Sequence, residues 1–289
     1  VVHISVIVPF YNSERYIADC LNGLLSQTYP KQNYEIIMID NNSTDGSAEI
    51  VRRYPAVKLI SEKKQGAYAA RNRGIREAHG DILAFTDPDC VPADDWLQEI
   101  ASAMSYTEAG IVIGSHNFGD DSLVLSMLAA YEDEKNRYVF NSGIKEVYFG
   151  HTNNMAVRRR LFDECGPFVE CPRGADTIFV RRCVERFSCQ VVRYCSNVQV
   201  RHLEINRLGE LLEKYSIYAG SRRKYQHIAH VRPLSNRERL HVFRRTVRSQ
   251  RYSWLRAVFL FGLLAMGLIC WTAGSFKAIW RLKRSGAPT

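Results

Sequence analysis

Four short apolar runs fall within the first ninety residues: His3–Pro9, Tyr34–Asp40, Val57–Ser61 and Ile82–Thr86. Each is too short for a stable helix and ends at a proline or a polar cluster, as a strand buried on both faces does. The segments between them have a different period. Ile17, Leu21, Leu24 and Leu25 recur at helical spacing, Ile50, Val51 and Tyr54 follow the turn at Asn41–Gly46, and Ala67–Ala78 reads as a helix closed by Gly80. Asn12 or Ser13 can cap the first of these helices. Regular alternation of strand and helix predicts βαβ units, hence an α/β fold built on a mostly parallel sheet flanked by helices. Such sheets take ligands beyond the carboxyl ends of their strands. The polar clusters sit there: Pro9–Asn12, Asp40–Asp45, Gly66 and Asp87–Asp89.

After Ile111–Ser115, a further strand, the pattern loosens. Leu123–Tyr138 reads as a helix, Val147–Val157 as strand, Arg159–Cys165 and Phe179–Arg186 as helices, Gln190–Val200 as one or two strands, and Leu208–Tyr225 as a helix. This divides the chain into a domain over 1–225, in two halves at 1–105 and 106–225, and a C-terminal segment over 226–289.

Charge marks the same division. Residues 1–199 carry 21 Lys and Arg against 26 Asp and Glu, while residues 200–289 carry 18 against 4. The basic tail contains Ala257–Phe276, twenty residues without a charge. That length suffices for a helix to cross the hydrocarbon core of a bilayer. Arg256 borders it on one side and Lys277, Arg281, Lys283 and Arg284 on the other, with Trp254, Trp271 and Trp280 placed for the interfaces. Because both flanks are basic, a span and a shallow insertion both remain open, as does a helix packed on the domain. The preceding stretch, Arg237–Arg256, interleaves Leu240, Val242, Phe243, Val247 and Trp254 with arginines, the composition of one interfacial amphipathic helix. A nucleic-acid partner is disfavoured by the adjoining apolar segment. With no signal peptide at Val1–Pro9, and with eight cysteines that form no CxxC pair, the domain is expected on the cytoplasmic face of the cell membrane with reduced thiols.

The chemistry-bearing residues begin with Asp87-Pro-Asp89 at a strand end. Two carboxylates on a proline-stiffened turn can hold Mg²⁺ or Mn²⁺, hard cations that bridge protein carboxylates and substrate phosphates. A turn with a helix cap, preceding a helix over Pro92–Met104, is the plain alternative. Asp40 can accept a hydrogen bond from a base or ribose, or form an Asx turn. The phosphate-binding glycine patterns of P-loop and dinucleotide enzymes are absent, as are the HExxH and GxSxG motifs.

Four motifs then appear in order: Ser5-Val-Ile-Val-Pro-Phe-Tyr-Asn12, Glu35-Ile-Ile-Met-Ile-Asp-Asn-Asn-Ser-Thr-Asp-Gly46, Ala70-Arg-Asn-Arg-Gly-Ile75 and Ala84-Phe-Thr-Asp-Pro-Asp89. Together they resemble the family-2 glycosyltransferases with a GT-A fold, strongly over residues 4 to about 105 and more weakly to about 225. The resemblance implies transfer of a sugar from a nucleotide diphosphate sugar, with UDP the favoured nucleotide, to a glycan or lipid-linked acceptor at the membrane. It implies that Pro9, Tyr11 and Asn12 line the nucleotide pocket, that Asp40 contacts the base and Asp45 supports its loop, and that Gly66, Arg71 and Asn72 border the donor. Asp87 would face the ribose or sugar, and Asp89, helped by His202, would ligate the metal. Asn153 and Asn154 would bind sugar hydroxyls on the acceptor side.

The family's acceptor helix usually opens with Glu-Asp, whose Asp is the general base. Here Gly174-Ala175-Asp176 keeps the Asp and has Ala where Glu is usual. Asp176 is therefore the expected base, with helix capping as its alternative. Ala175 leaves open a nucleotide-sugar-binding protein without turnover. The QxxRW motif of processive relatives is replaced by Gly220-Ser-Arg-Arg-Lys-Tyr225, which favours a single transfer.

Overall fold

The structure, a computed structural model, describes residues 2–106, 108–118, 122–226 and 228–284; the side chains at 223, 224 and from 277 onward, which include Lys277, Trp280, Arg281, Lys283 and Arg284, lie outside the described residues. Its first half is a run of βαβ units: β1 (Ile4–Phe10), α1 (Ile17–Leu25), β2 (Tyr34–Asp40), α2 (Ser47–Arg52), β3 (Lys58–Ser61), α3 (Ala67–Glu77) and β4 (Ile82–Thr86). The second half is β5 (Cys90–Pro92), α4 (Trp96–Met104), β6 (Ile111–Phe118), α5 (Leu123–Asn141), β7 (Asn154–Arg158), α6 (Arg160–Cys165), α7 (Ala175–Arg186), β8 (Val192–His202), α8 (Leu208–Tyr225), α9 (Asn236–Ser249) and α10 (Trp254–Arg284).

All eight strands join one sheet in the order β3-β2-β1-β4-β7-β6-β8-β5. The four N-terminal strands are parallel, as the crossover helices require. Beyond β4 the sheet becomes mixed: β7 runs antiparallel to both β4 and β6, β8 runs parallel to β6, and β5 runs antiparallel to β8. The period-2 geometry of a strand sends alternate residues to opposite faces. In β4, Leu83 and Phe85 enter the core under α3 and α7, while Ile82 and Ala84 enter the core under α1 and α4. The first core is aromatic at its centre: Phe162 stacks on Phe179 at 4.5 Å, and Phe168 meets Phe85, Phe162 and Phe179 edge-on.

Several element boundaries differ from the sequence reading. No helix starts at Pro92, because that residue ends β5, so Asp89 precedes a strand rather than capping a helix. Most of Val147–Val157 is not strand; only Asn154–Arg158 pairs, because β7 needs a partner on each side and finds β4 and β6 only there. Helix α7 begins at Ala175, a turn before Phe179. The first helix starts at Ile17 with no side-chain cap, and Asn12 is spent elsewhere.

The basic stretch is not one helix. The chain breaks at Arg251, which takes a left-handed backbone (φ 51°), so α9 and α10 meet at a corner. Helix α9 buries Val242 against α5, and Arg245 Nε pairs with the buried Glu134 at 2.6 Å. Helix α10 lies along α8, and only 22% of its most apolar window is buried, so most of its apolar surface faces outward. Gly274 allows the close approach: a Cβ there would stand 2.2 Å from the Ser216 carbonyl oxygen. Gly262, on the same helix, faces open space. Gly274→Leu is accordingly expected to force α10 off α8 and to destabilise the fold by about 1–3 kcal/mol, with Gly262→Leu neutral. Thermal melting of both variants in detergent, followed by circular dichroism, checks this; equal melting temperatures would show that the α8–α10 seam carries no stability.

Candidate active site

The ends of β1, β2 and β3 are tied into one surface by side-chain hydrogen bonds. Asn12 sits in a left-handed conformation (φ 48°), and its Oδ1 accepts from the Thr44 N–H at 2.8 Å. Asp40 Oδ1 accepts from the Ser43 N–H at 2.9 Å. Asp45 braces the same loop, accepting from the Ser47 N–H at 3.1 Å and the Glu14 N–H at 3.1 Å. Burial opposes its ionisation, but the bonds from Ser47 and Glu14 prevail and hold its carboxyl below the usual range. Asn41, which the sequence reading passed over, is the clamp between β2 and the next loop. Its Nδ2 donates to the carbonyls of Glu62 and Lys64 at 2.9 and 2.8 Å, and its Oδ1 accepts from Gly66 N–H at 2.7 Å. Tyr11 projects from this edge with half its surface exposed (51%). Pro9 lies buried in β1, beyond the last residue that β1 pairs with β4, where a missing N–H leaves no ladder bond unmade.

Deeper in, α3 presents Arg71 to the end of β4. The guanidinium is buried, lies 5.1 Å from the Tyr68 ring centroid, and binds Asp87 Oδ1 at 2.5 Å. It is therefore not a surface ion pair: it holds a partly exposed carboxylate in a fixed direction. Asn72, one residue on, departs from its expected place beside the donor. Both ends of its buried amide are spent on Phe168, Nδ2 donating to the carbonyl at 2.9 Å and Oδ1 accepting from the N–H at 3.1 Å.

The β5–β8 ladder sets Cys90 opposite His202, which brings Asp89 beside that histidine. Asp89 Oδ2 lies 3.6 Å from His202 Nε2. Burial, and then the charges of Asp87 and Glu204, push the Asp89 carboxyl up to about 7. Burial, and then Lys214, push His202 down to about 3. Lys214 Nζ stands 3.3 Å from His202 Nε2 and 2.7 Å from Glu204. A neutral imidazole and a carboxylate that resists ionisation thus converge at a point where a cation would relieve both. The residues fit a divalent cation. The neighbouring Cys90 thiol is pushed well up by burial, then by Asp89, and so stays protonated and a poor ligand.

Across the site, α7 starts with Asp176 in its first turn. Gly174 precedes it with φ 90°, and the Tyr225 ring fills the space where a Cβ would be. Asp176 Oδ1 accepts from Thr177 N–H at 2.7 Å and Oδ2 from Thr152 N–H at 3.3 Å. Burial raises its pKa despite those bonds and the positive charge of Arg71. Ala175 is wholly buried in the core beneath the helix, so this position presents no side chain to the cavity.

The two asparagines expected on the acceptor side part ways. Asn153 lines the cavity, its Oδ1 bonded to the half-buried ring of His116 at 2.9 Å; His116 in turn packs on His151 at 4.8 Å. Asn154 has no exposed surface. It plugs the bulge where the β6–β8 register jumps between Gly114 and Ser115. Its Nδ2 donates to the carbonyls of Ser115 and Val198 at 2.7 and 2.9 Å, and its Oδ1 accepts from Trp96 Nε1 at 2.9 Å, leaving nothing for a sugar.

A cavity of about 1000 Å³ has Asp87, Asn153, Asp176 and His202 on one side and residues of α8, α9 and α10 on the other. His116 and His151 on the cavity wall, and Lys214 beside His202, went unread in the sequence, because only the pairing of β6, β7 and β8 and the packing of α8 bring them there.

Comparison with known proteins gives a consistent result. The sequence model of glycosyl transferase family 2 matches residues 5–166. Glycosyltransferase AglE of Haloferax volcanii is 38% identical over 170 residues, 57% of this chain and 55% of its own. A dolichyl N-acetylglucosaminyl phosphate diacetamidodideoxyglucuronosyltransferase of Methanococcus voltae is 34% identical over 101 residues, covering 33% of this chain and 32% of its own. The chain thus spans about a third to a half of the length of these relatives. Among solved structures, a mannosyltransferase from Pyrobaculum calidifontis in complex with GDP-mannose and Mn²⁺ superposes with a TM-score of 0.66 at 20% identity, over 97% of this chain and 88% of its own. Staphylococcus aureus TarS 1–349 with UDP gives 0.55 at 17% identity, over 98% and 92%. At such identities the likeness is one of fold, the GT-A fold.

Asn154→Ala would leave an indole N–H and two carbonyls without partners inside the sheet. A loss of at least about 3 kcal/mol of stability is expected, with nucleotide-sugar affinity unchanged in the folded fraction. Urea denaturation checks it; a stable variant with weakened acceptor use would return Asn154 to the acceptor side.

Proposed function

Because this chain belongs to glycosyl transferase family 2, we propose that it moves a sugar from a nucleotide diphosphate sugar, UDP-linked in the first instance, to a hydroxyl of a glycan or lipid-linked acceptor, with inversion at the anomeric carbon. The observation that carries the reading is Asp176: a carboxylate in the cavity wall, of raised pKa, facing the same space as the Arg71–Asp87 pair and His202.

The step is a single displacement. Asp176 takes the proton of the acceptor hydroxyl as its oxygen bonds to the anomeric carbon, and the bond from that carbon to the diphosphate breaks. A raised pKa suits this role, because a base works best when its pKa approaches the working pH. The N–H groups of Thr152 and Thr177 hold the carboxylate in one orientation, so no reorganisation is needed when the proton arrives. Arg71 keeps Asp87 directed at the donor ribose or sugar. Tyr11, Asn12, Asp40 and Gly66 form the open edge for the nucleotide, with Asp45 bracing it. Asp89 and His202 would hold Mg²⁺ or Mn²⁺, which would supply positive charge against the diphosphate. Lys214 places a positive charge beside His202, where it would add to the neutralisation of the diphosphate.

The C-terminal segment supports a location at the cytoplasmic face of a membrane. The exposed arginines of α9 suit anionic headgroups, and the outward side of α10 suits hydrocarbon. With Ala175 buried away from the acceptor, the enzyme reading needs only Asp176, and measured transfer separates it from a binding protein without turnover.

Asp176→Asn is expected to lower transfer at least about a hundredfold while donor affinity stays within twofold, roughly; a fully active variant would sink the base assignment. In the parent protein, transfer should fall as pH drops through the raised pKa of Asp176, at higher pH than an ordinary carboxylate would give. The sign follows from the base being active only when ionised. A thermal-shift panel of UDP- and GDP-sugars with and without Mn²⁺ addresses the donor. One donor at 100 times its dissociation constant should stabilise by about 2.7 kcal/mol, and Asp89→Ala should abolish the Mn²⁺ dependence. If no donor stabilises the protein, the proposed function fails.

A further inference from the structure

The cavity continues past Asp176, along α8 and beneath α9 to the flank of α10. One face of α8 runs its length: Lys214, Tyr218, Arg222 and Tyr225 follow at spacings of four, four and three, which stacks them on one side of a helix. Lys214 reaches His202 at the donor end. Tyr225 packs on Gly174, within electrostatic reach of Asp176, Arg173 and Arg222. Arg222 is next to Arg239 of α9 and is disfavoured as a cation by burial and by that like charge.

Most charges on the wall are matched. Arg71 binds Asp87, Lys135 binds Glu132, Arg232 binds Glu238, and Asp133 accepts from Tyr194 and Arg137. Arg173, Arg222 and Arg239 have no carboxylate partner among the described residues. Nε of Arg222 is buried without a hydrogen-bond partner, and the Arg173 guanidinium lies 5.7 Å from the centroid of the Tyr218 ring. Guanidinium groups on a partly dry wall with no carboxylate paired to them are an electrostatic deficit. A phosphate would fill it, since its oxygens match the guanidinium fork. Beyond Arg239 the wall turns apolar, through Phe243 of α9 and Phe261, Leu264, Leu268 and Trp271 of α10.

We propose that this end of the cavity binds an acceptor whose phosphate is carried on a hydrocarbon chain. Arg173, Arg222 and Arg239 hold the phosphate, the wall from Phe243 to Trp271 takes the chain, and the acceptor hydroxyl is thereby presented to Asp176. The phosphate is a handle and not the nucleophile: a base is needed to strip a hydroxyl, and an ionised phosphate oxygen has no proton to lose. The inference rests on the glycosyltransferase reading and names the acceptor chemistry for it.

Calorimetric titration of the full chain in detergent tests it, with geranyl phosphate, geraniol and inorganic phosphate as probes and no donor present. Geranyl phosphate should bind at least about tenfold more tightly than either of the others. The double variant Arg222→Gln/Arg239→Gln should weaken geranyl phosphate by about tenfold or more, leave geraniol unchanged and keep donor affinity, which shows that it is folded. Arg248→Gln, on the exposed side of α9, should change nothing. Equal binding of geraniol and geranyl phosphate, or a double variant that binds as the parent does, overturns the proposal. Inorganic phosphate binding as tightly as geranyl phosphate, and lost in the double variant, keeps the phosphate site but overturns the lipid as its source. Donor binding is titrated separately, so its absence in the parent counts against the transferase reading alone.

Discussion

Cys90 pairs with His202 across the three-residue β5–β8 ladder, and the site is arranged around that register. It sets Asp89 against the histidine, aligns the following turn so that Leu203 N–H bonds to the Asp89 carbonyl at 2.8 Å, and delivers the chain to α8, whose Lys214 returns to the same imidazole. A slip of one residue would turn His202 to the other face of the sheet. The bulge between β6 and β8, filled by Asn154, is what lets one long strand pair with β6 at both ends and still reach β5. A buried asparagine thus stabilises the bulged strand that carries His202 to β5.

The carboxylates of this cavity are held against their solvation preference. Asp89 and Asp176 are both pushed upward by burial. For a group whose pKa is raised in the folded state, the fold gains most when it is protonated, and that contribution is lost as pH rises through the folded pKa. At neutral pH the ionised forms are thus a cost borne by the aromatic core beneath α7 and the apolar packing of the sheet. The same strain is chemically useful. A carboxylate short of water beside a neutral imidazole favours a cation, and one short of water at the cavity wall favours an incoming proton despite the helix N-terminus. Arg71 limits the cost by matching Asp87 while leaving its outer oxygen free of that bond.

The C-terminal helices are part of the cavity wall. Helix α9 is pinned to α5 by Val242 and by the Arg245–Glu134 pair, and α10 is pinned to α8 through Gly274. Helix α8 stands between, with Leu211 and Tyr215 packed toward these helices at the cavity wall, Arg222 lining the cavity, and Lys214 reaching His202. Movement of α10 would be felt at Lys214 and hence at His202. Helix α8 thus connects the apolar C-terminal helix to His202 through one element.

The sequence by itself determined the N-terminal half. Hydrophobic period and turn chemistry are local, so β1 to β4, their helices and the polar clusters at their ends could be read residue by residue, and Asp87, Asp89, Asp176 and His202 could be singled out through the motifs around them. It also marked the apolar C-terminal segment, since twenty uncharged residues are visible without a fold. Only the tertiary structure decided the rest. Whether an asparagine meets ligand or backbone depends on what packs over it, which moved Asn72 and Asn154 inside and left Asn153 on the wall. A three-residue strand such as β5 has too little local signal to be seen before β8 pairs with it. The breaks at Arg251 and within Val147–Val157 depend on where partners end, and the unpaired arginines of α8 and α9 become a group only when two helices distant in sequence are folded over one cavity.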